Sequence, residues 1–246
     1  LFCAFLAGAM LTMGNGATIT MAAENTAETP AVTEETPEAS TVPESSEWEI
    51  QSNNIAGWSE GPKVSAETAI VMDIDTGEIL YAKGIDEKRA PASTTKIMTA
   101  MLAIEKVPFD TQITFTDEVN NIEAGSTHIG IKPGENLTMK DCAYAILLAS
   151  ANEVSSGVAE YIGTTVPAFV DMMNQRAKEL GCTNTNFVNA NGLYDENHYT
   201  TARDLAIIAR AAFQNETFRE IVKTPYYIVP KTNLTDEERW LTTTIK

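Results

Sequence analysis

The order of the secondary-structure patterns along the chain limits the folds that it can adopt. Residues 69–74 and 78–83 are β-type runs on either side of Asp75-Thr76-Gly77, which is typical of a β-hairpin. Apolar residues then recur at helical spacing, and strand-type runs return only over residues 226–229 and 240–245. This order predicts an α+β fold, in which strands from opposite ends of the sequence share one sheet and a helical subdomain lies between them.

Between the predicted strands, the sequence contains residues that are typical of helix starts and helix ends. Thr138 with Asp141 is typical of a capped helix start, and Gly181 is typical of a helix end. The triplet Ser150-Ala151-Asn152 interrupts an apolar run that would otherwise form one long helix. We predict helices over residues 91–105, 138–148, 153–161, 167–180 and 201–213.

The first 62 residues differ from the rest of the chain in charge and in composition. They contain nine glutamates and no Lys or Arg, in a chain whose net charge is −17. Residues 1–23 are apolar and end in small residues, which predicts an N-terminally incomplete signal peptide or, alternatively, an uncleaved anchor. Residues 24–60 are rich in Glu, Thr, Pro, Ala and Ser without apolar periodicity, which predicts a disordered acidic tether. We therefore expect residues 61–246 to form a domain outside the cytoplasm.

Charge and the scarcity of metal-binding side chains exclude several classes of function. An acidic chain has no electrostatic footprint for nucleic acid, and an anionic lipid surface repels it. Three cysteines are too few for a disulfide scaffold, and we expect Cys142 and Cys182 to be separate thiols. The two histidines, His128 and His198, are far apart in the sequence. We therefore predict no metal site, no cofactor and no nucleic-acid partner.

Ser93-Thr94-Thr95-Lys96 is the first candidate for catalysis. Residues i and i+3 share a face of a helix, so the hydroxyl of Ser93 and the amine of Lys96 can meet. A lysine can take the proton of a serine only when desolvation or nearby positive charge lowers its pKa. The motif also begins a helix, where backbone N–H groups favour a developing oxyanion. The same residues are also typical of a helix cap followed by a solvated lysine. Other motifs in the chain are needed to distinguish this structural role from a catalytic one.

The order of the motifs favours catalysis. A hairpin precedes Ser93, and Ser150-Ala151-Asn152 follows at a break between two apolar helices. With this pairing of Ser-x-x-Lys and Ser-x-Asn, the sequence resembles the penicillin-recognising serine hydrolases. The local strings, including residues 186–193 and 198–205, narrow the resemblance to low-molecular-mass penicillin-binding proteins that are serine-type D-alanyl-D-alanine carboxypeptidases. It covers roughly residues 64–246.

The resemblance implies a role for each of four side chains. Ser93 would be the nucleophile that forms an acyl-enzyme, and Lys96 would accept its proton. Ser150 would relay a proton toward the leaving amine, and Asn152 would orient Lys96 and bind the amide of the substrate. His198 has no role in this scheme, and we predict that it is structural. The implied partners are peptidoglycan stem peptides of a bacterial cell envelope, with β-lactam antibiotics as covalent inhibitors.

The third motif of the family, a Lys-Thr-Gly on a strand that lines the cleft, does not occur in the sequence. Lys231-Thr232 is followed by Asn233 in a turn-like segment, which we do not accept as a substitute. The resemblance places the true motif beyond residues 240–246, so we expect a chain truncated at both ends. Without that strand the fragment should be inactive. Any membrane association would then come from a missing C-terminal segment or from the uncleaved leader.

Three other functions stay open for a chain of this fold. A peptidoglycan DD-endopeptidase uses the same residues. A class A β-lactamase shares the first two motifs but needs a Glu-x-x-Leu-Asn segment, and none follows Asn152. A non-catalytic muropeptide-binding module could keep the fold, although the intact Ser93, Lys96, Ser150 and Asn152 favour an enzyme.

Overall fold

Within residues 44–243, which the computed structural model describes, six helices form the centre of the molecule and three two-stranded antiparallel sheets pack against them. The strands are β1 (Ala69–Met72), β2 (Ile79–Lys83), β3 (Gln112–Thr114), β4 (Asn136–Thr138), β5 (Tyr226–Val229) and β6 (Arg239–Thr242). The helices are α1 (Lys96–Lys106), α2 (Met139–Leu148), α3 (Asn152–Gly163), α4 (Val166–Glu179), α5 (Ala202–Gln214) and α6 (Glu216–Lys223).

Helix α1 is the central element, because it packs against the other five helices. Its apolar positions recur every three to four residues, and Met98, Met101 and Leu102 are buried. Burying a side chain of this size stabilises the fold by about 1.5–3 kcal/mol. The residues immediately before α1, which include Ser93, are therefore attached to a helix that the other five helices hold in place.

Most of the local predictions are confirmed, with helix and strand bounds shifted by a few residues. Thr138 caps α2 through reciprocal hydrogen bonds with Asp141. Cys142 and Cys182 are separate buried thiols, as expected. The structure adds α6 and the three-residue strands β3 and β4, which the sequence analysis did not predict. None of the helices in the described range is long and apolar enough to cross a membrane.

The predicted sharing of one sheet is wrong for the residues that the structure describes. β1 pairs with β2, β5 pairs with β6, and neither pair joins the other. The inner face of β5–β6 packs on α2. On that face Tyr227 stacks on Tyr144 with the ring centres 3.8 Å apart, and its hydroxyl donates to Asp141 Oδ1 at 2.8 Å. This packing holds β5–β6 on α2, whereas β1 packs on α5.

Part of the predicted tether is folded onto the first hairpin. Single 3-10 turns form over Glu44–Glu47 and Gln51–Asn54, and Ile50 between them is buried. The second turn packs against β2. The tether prediction is therefore wrong for residues 44–60. Residues 1–43, with the predicted signal peptide and the rest of the tether, lie outside the described residues.

A buried cation explains why this segment is ordered. Lys83 in β2 is fully buried, and its ammonium donates to three backbone carbonyl oxygens of the preceding chain. The acceptors are Ser45 O at 2.6 Å, Val64 O at 2.8 Å and Ala66 O at 2.8 Å. Composition gives no sign of these contacts, because every residue has a carbonyl group.

We expect Lys83→Met to release residues 44–66 from the hairpin, because three partly buried carbonyl groups lose a charged donor. The free energy of unfolding should fall by about 1.5–3 kcal/mol, and amide hydrogen exchange of residues 44–66 should accelerate. Lys63→Met is the matched control, since the ion pair of Lys63 with Glu47 in the same segment is exposed. Unchanged exchange over this segment in the Lys83 variant would contradict the assignment.

Candidate active site

Ser93 lies on a strained turn at the entrance to α1. Ala92–Thr95 form a single 3-10 turn that leads directly into the helix. Ala92 has φ +49°, a left-handed conformation that costs a residue with a side chain about 1–2 kcal/mol. The turn leaves Ser93 exposed. Ser93 is therefore an accessible hydroxyl on a turn that a well-packed helix holds in place.

Lys96, one helical turn further along, is buried. The residue is only 2% exposed, and its Nζ lies 3.4 Å from Ser93 Oγ. Burial disfavours the charged form and lowers the pKa of Lys96 to about 8, although the negative charge of Glu153 opposes this shift. Roughly one molecule in ten therefore carries the neutral amine at pH 7. The neutral amine is the form that can accept a proton.

Two oxygen atoms fix the orientation of this amine. Lys96 Nζ donates to Asn152 Oδ1 at 2.6 Å and to Asn191 O at 2.5 Å. A neutral amine has two N–H bonds and one lone pair, and both of these oxygens can only accept. They therefore take the two hydrogens, and the lone pair is left to face Ser93 Oγ. The arrangement directs the base at the candidate nucleophile.

The contribution of Asn191 was not predicted, because it comes from the main chain. Asn191 lies in a loop of residues 188–192. Thr99 Oγ1 in α1 donates to Ala190 O at 2.7 Å, and this hydrogen bond holds the loop against the helix. Gly192 has φ +88°, and a Cβ at this position would lie 1.9 Å from Ala92 O. The only signal in the sequence is the Asn-Gly pair, which is typical of a tight turn with a left-handed residue.

Ser150 lies at the break between α2 and α3, two residues before Asn152. It has φ +54° and is partly exposed. Among the described residues, no hydrogen bond joins its hydroxyl to Ser93 or Lys96. The structure therefore brings Ser93, Lys96 and Asn152 together and leaves Ser150 outside this hydrogen-bonded group. The catalytic roles of all four residues stay predictions.

Glu153 is a buried acid beside Asn152 that the sequence analysis missed. It is 1% exposed, and its Oε1 accepts a hydrogen bond from the backbone N–H of Ile129 at 2.7 Å. The backbone N–H of Asn152 donates to Thr127 O at 2.9 Å. These contacts hold the loop before β4 against the start of α3. The same carboxylate supplies the negative charge that acts on Lys96.

The segment Lys231-Thr232-Asn233 serves another part of the fold. Thr232 Oγ1 donates to Glu135 Oε1 at 2.7 Å, and Asn233 Oδ1 accepts from the backbone N–H of Asn136 at 2.8 Å. The segment thus fastens the connection between β5 and β6 to the start of β4. That the segment does not replace a Lys-Thr-Gly motif stays a prediction.

Known proteins resemble the chain over most of the described range. A family model described as Peptidase S11, D-alanyl-D-alanine carboxypeptidase, matches residues 56–242. The D-alanyl-D-alanine carboxypeptidase DacF of Bacillus subtilis (strain 168) is 39% identical over 183 residues, which are 73% of this chain and 46% of that protein. DacC of Escherichia coli (strain K12) is 34% identical over 162 residues, which are 62% of this chain and 40% of that protein. The chain thus spans less than half the length of these two relatives.

Solved structures share the fold. The DD-transpeptidase of Streptomyces K15 superposes with a TM-score of 0.68 at 30% identity, covering 76% of this chain and 76% of that one. The D-alanyl-D-alanine carboxypeptidase of Mycobacterium tuberculosis H37Rv gives a TM-score of 0.71 at 28% identity, covering 77% of this chain and 70% of that one. These likenesses confirm the predicted α+β fold of the penicillin-recognising serine hydrolases. The chain therefore belongs to the peptidase S11 family of D-alanyl-D-alanine carboxypeptidases.

Proposed function

We propose that the protein is a serine-type D-Ala-D-Ala carboxypeptidase that removes the terminal D-alanine from peptidoglycan pentapeptides. The observation that carries this proposal is the buried Lys96 amine, which two acceptors hold 3.4 Å from the exposed hydroxyl of Ser93. The names of the relatives support the choice of substrate, since they are D-alanyl-D-alanine carboxypeptidases.

In the proposed reaction, neutral Lys96 takes the hydroxyl proton while Ser93 Oγ attacks the carbonyl carbon of the penultimate D-alanine. Backbone N–H groups at the start of α1 favour the negative oxygen that develops. The amide C–N bond then breaks, and the leaving D-alanine receives the proton at its nitrogen, with Ser150 as the relay. The acyl group stays on Ser93 as an ester. Water hydrolyses the ester, restores the serine and releases the shortened peptide.

We place this activity outside the cytoplasm, in a bacterial cell envelope, where peptidoglycan is built and remodelled and cell shape is set. The apolar and small residues over 1–23, which are typical of a signal peptide, support this location. β-Lactam antibiotics would acylate the same hydroxyl. A structural neighbour from Mycobacterium tuberculosis, described as an evolved putative penicillin-binding protein homolog, supports this inference.

Replacing Ser93 with Ala in the full-length protein should abolish both the release of D-alanine from a pentapeptide and covalent labelling by fluorescent penicillin, because the attacking oxygen is removed. Ser45→Ala is the control, since the hydroxyl of Ser45 donates to Ser65 O in the N-terminal segment of the described range. A Ser93 variant that still labels would contradict the assignment. Reversible muropeptide binding without labelling of the wild type would indicate a binding module, and cleavage of cross-linked peptides alone would indicate an endopeptidase.

Acylation by penicillin should become faster as the pH rises through about 8 and should level off above it, because only the neutral form of Lys96 accepts a proton. Lys96→Arg keeps a positive charge but removes the base, and should slow acylation by about 100- to 10,000-fold. Lys140→Arg, at an exposed position of α2, is the matched control. A rate that does not depend on pH, or near-normal acylation by the Lys96 variant, would rule out this role.

Glu153→Gln should move the midpoint of this pH profile to a lower pH, because the charge of Glu153 raises the pKa of Lys96. Glutamine keeps an oxygen that can accept the N–H of Ile129, so the loop should stay in place. Glu179→Gln, an exposed residue of α4, removes the same charge at the surface and should leave the midpoint unchanged. A midpoint that stays constant or rises in the Glu153 variant would refute the electrostatic coupling.

A further inference from the structure

His198 lies between the two segments that shape the surroundings of Lys96. It is 2% exposed, and its two ring nitrogens have different partners. Nε2 lies 2.8 Å from Thr95 Oγ1, and Nδ1 accepts a hydrogen bond from the backbone N–H of Val188 at 3.1 Å. Thr95 belongs to the turn that carries the candidate nucleophile, which we call the nucleophile turn (Ala92–Thr95). Val188 belongs to the loop that presents a carbonyl oxygen to the Lys96 amine.

These hydrogen bonds determine the tautomer of the ring. The backbone N–H of Val188 can only donate, so Nδ1 of His198 is unprotonated and Nε2 carries the hydrogen. Nε2–H therefore donates to Thr95 Oγ1. Burial lowers the pKa of His198 to about 4, although the charge of Asp195 opposes this shift. The imidazole is thus neutral over the pH range in which Lys96 titrates. Its two hydrogen bonds, which together bridge the nucleophile turn and the loop, are intact over the same range.

The surroundings of the ring fix its place. Its edge contacts Phe187, with ring centres 5.7 Å apart and planes at 67°. The backbones of Asn186 and Tyr199, on either side of this contact, exchange two hydrogen bonds of 2.8 and 3.0 Å. The ring therefore connects the loop to the nucleophile turn from a rigid position.

We propose that His198 is a positioning residue for acylation, which holds the nucleophile turn and the loop at the spacing that lets Lys96 reach the Asn191 carbonyl while it faces Ser93. The inference rests on the proposed function, and it gives His198 more than the structural role predicted from the sequence. Without the bridge the loop relaxes away from the turn and water reaches the amine. Hydration favours the ammonium form, so the pKa of Lys96 rises toward its ordinary value. Glu153 in α3, the charged group that acts on Lys96, stays in place.

The test is the rate of penicillin acylation as a function of pH in the full-length protein. His198→Phe keeps an aromatic ring against Phe187 but removes both nitrogens, and Thr95→Val keeps the side-chain shape but removes the acceptor. Each should slow acylation by about 10- to 100-fold and move the midpoint of the profile to a higher pH. The double variant should be no slower than the slower single variant, because both changes remove the same bridge. His198→Gln, whose amide can donate to Thr95, should recover part of the rate and of the midpoint.

Thr232→Val is the matched control for loss of a threonine hydroxyl, since Thr232 donates to Glu135 away from Lys96. Thr232→Val should leave the midpoint of the pH profile unchanged, even if it lowers the melting temperature. The inference would be overturned if the pH profile of acylation by Thr95→Val had the wild-type midpoint, whether the rate of that variant is normal or reduced. If His198→Phe does not fold, Thr95→Val alone decides the question. The proposed function survives that result, because it depends on labelling at Ser93. If the wild type is not labelled, both proposals fail.

Discussion

The burial of the Lys96 amine determines how the rest of the site is arranged. A lysine that is only 2% exposed has lost its contact with water, so it must give up its charge or find acceptors inside the protein. Here Asn152 and Asn191 supply oxygens at hydrogen-bonding distance, and desolvation lowers the pKa of the amine to about 8, which brings the neutral form within reach near neutral pH. These oxygens come from the start of α3 and from a loop that is far away in the sequence. One nitrogen atom therefore sets the position of two separate segments relative to α1.

Each of the three segments around this nitrogen contains a residue with left-handed backbone. These residues are Ala92, Ser150 and Gly192, with φ of +49°, +54° and +88°. Two of them carry side chains, so the local conformation is unfavourable by about 1–2 kcal/mol each. Such conformations persist only where the surrounding structure holds them, and they concentrate at functional sites. The buried core around α1 provides that support, and the sharp turns that result aim the chain at Lys96.

The contacts that could be predicted from the sequence are those made by side chains close together in the chain. The capping of α2 by Thr138 and the approach of Ser93 to Lys96 follow from spacing alone. The Asn191 carbonyl and the carbonyls around Lys83 could not be predicted, because every residue carries the same group. The prediction that the strands share one sheet was wrong for a different reason. Alternation identifies a strand, but it does not show that a helix such as α2 covers its face.

Ser93 and Lys96 are neighbours that differ in their access to solvent. Ser93 is exposed on its turn, whereas Lys96 is enclosed behind it. Under the proposed function, the acyl donor would meet a hydroxyl at the surface of the described residues, and the proton of that hydroxyl would pass inward to the enclosed amine.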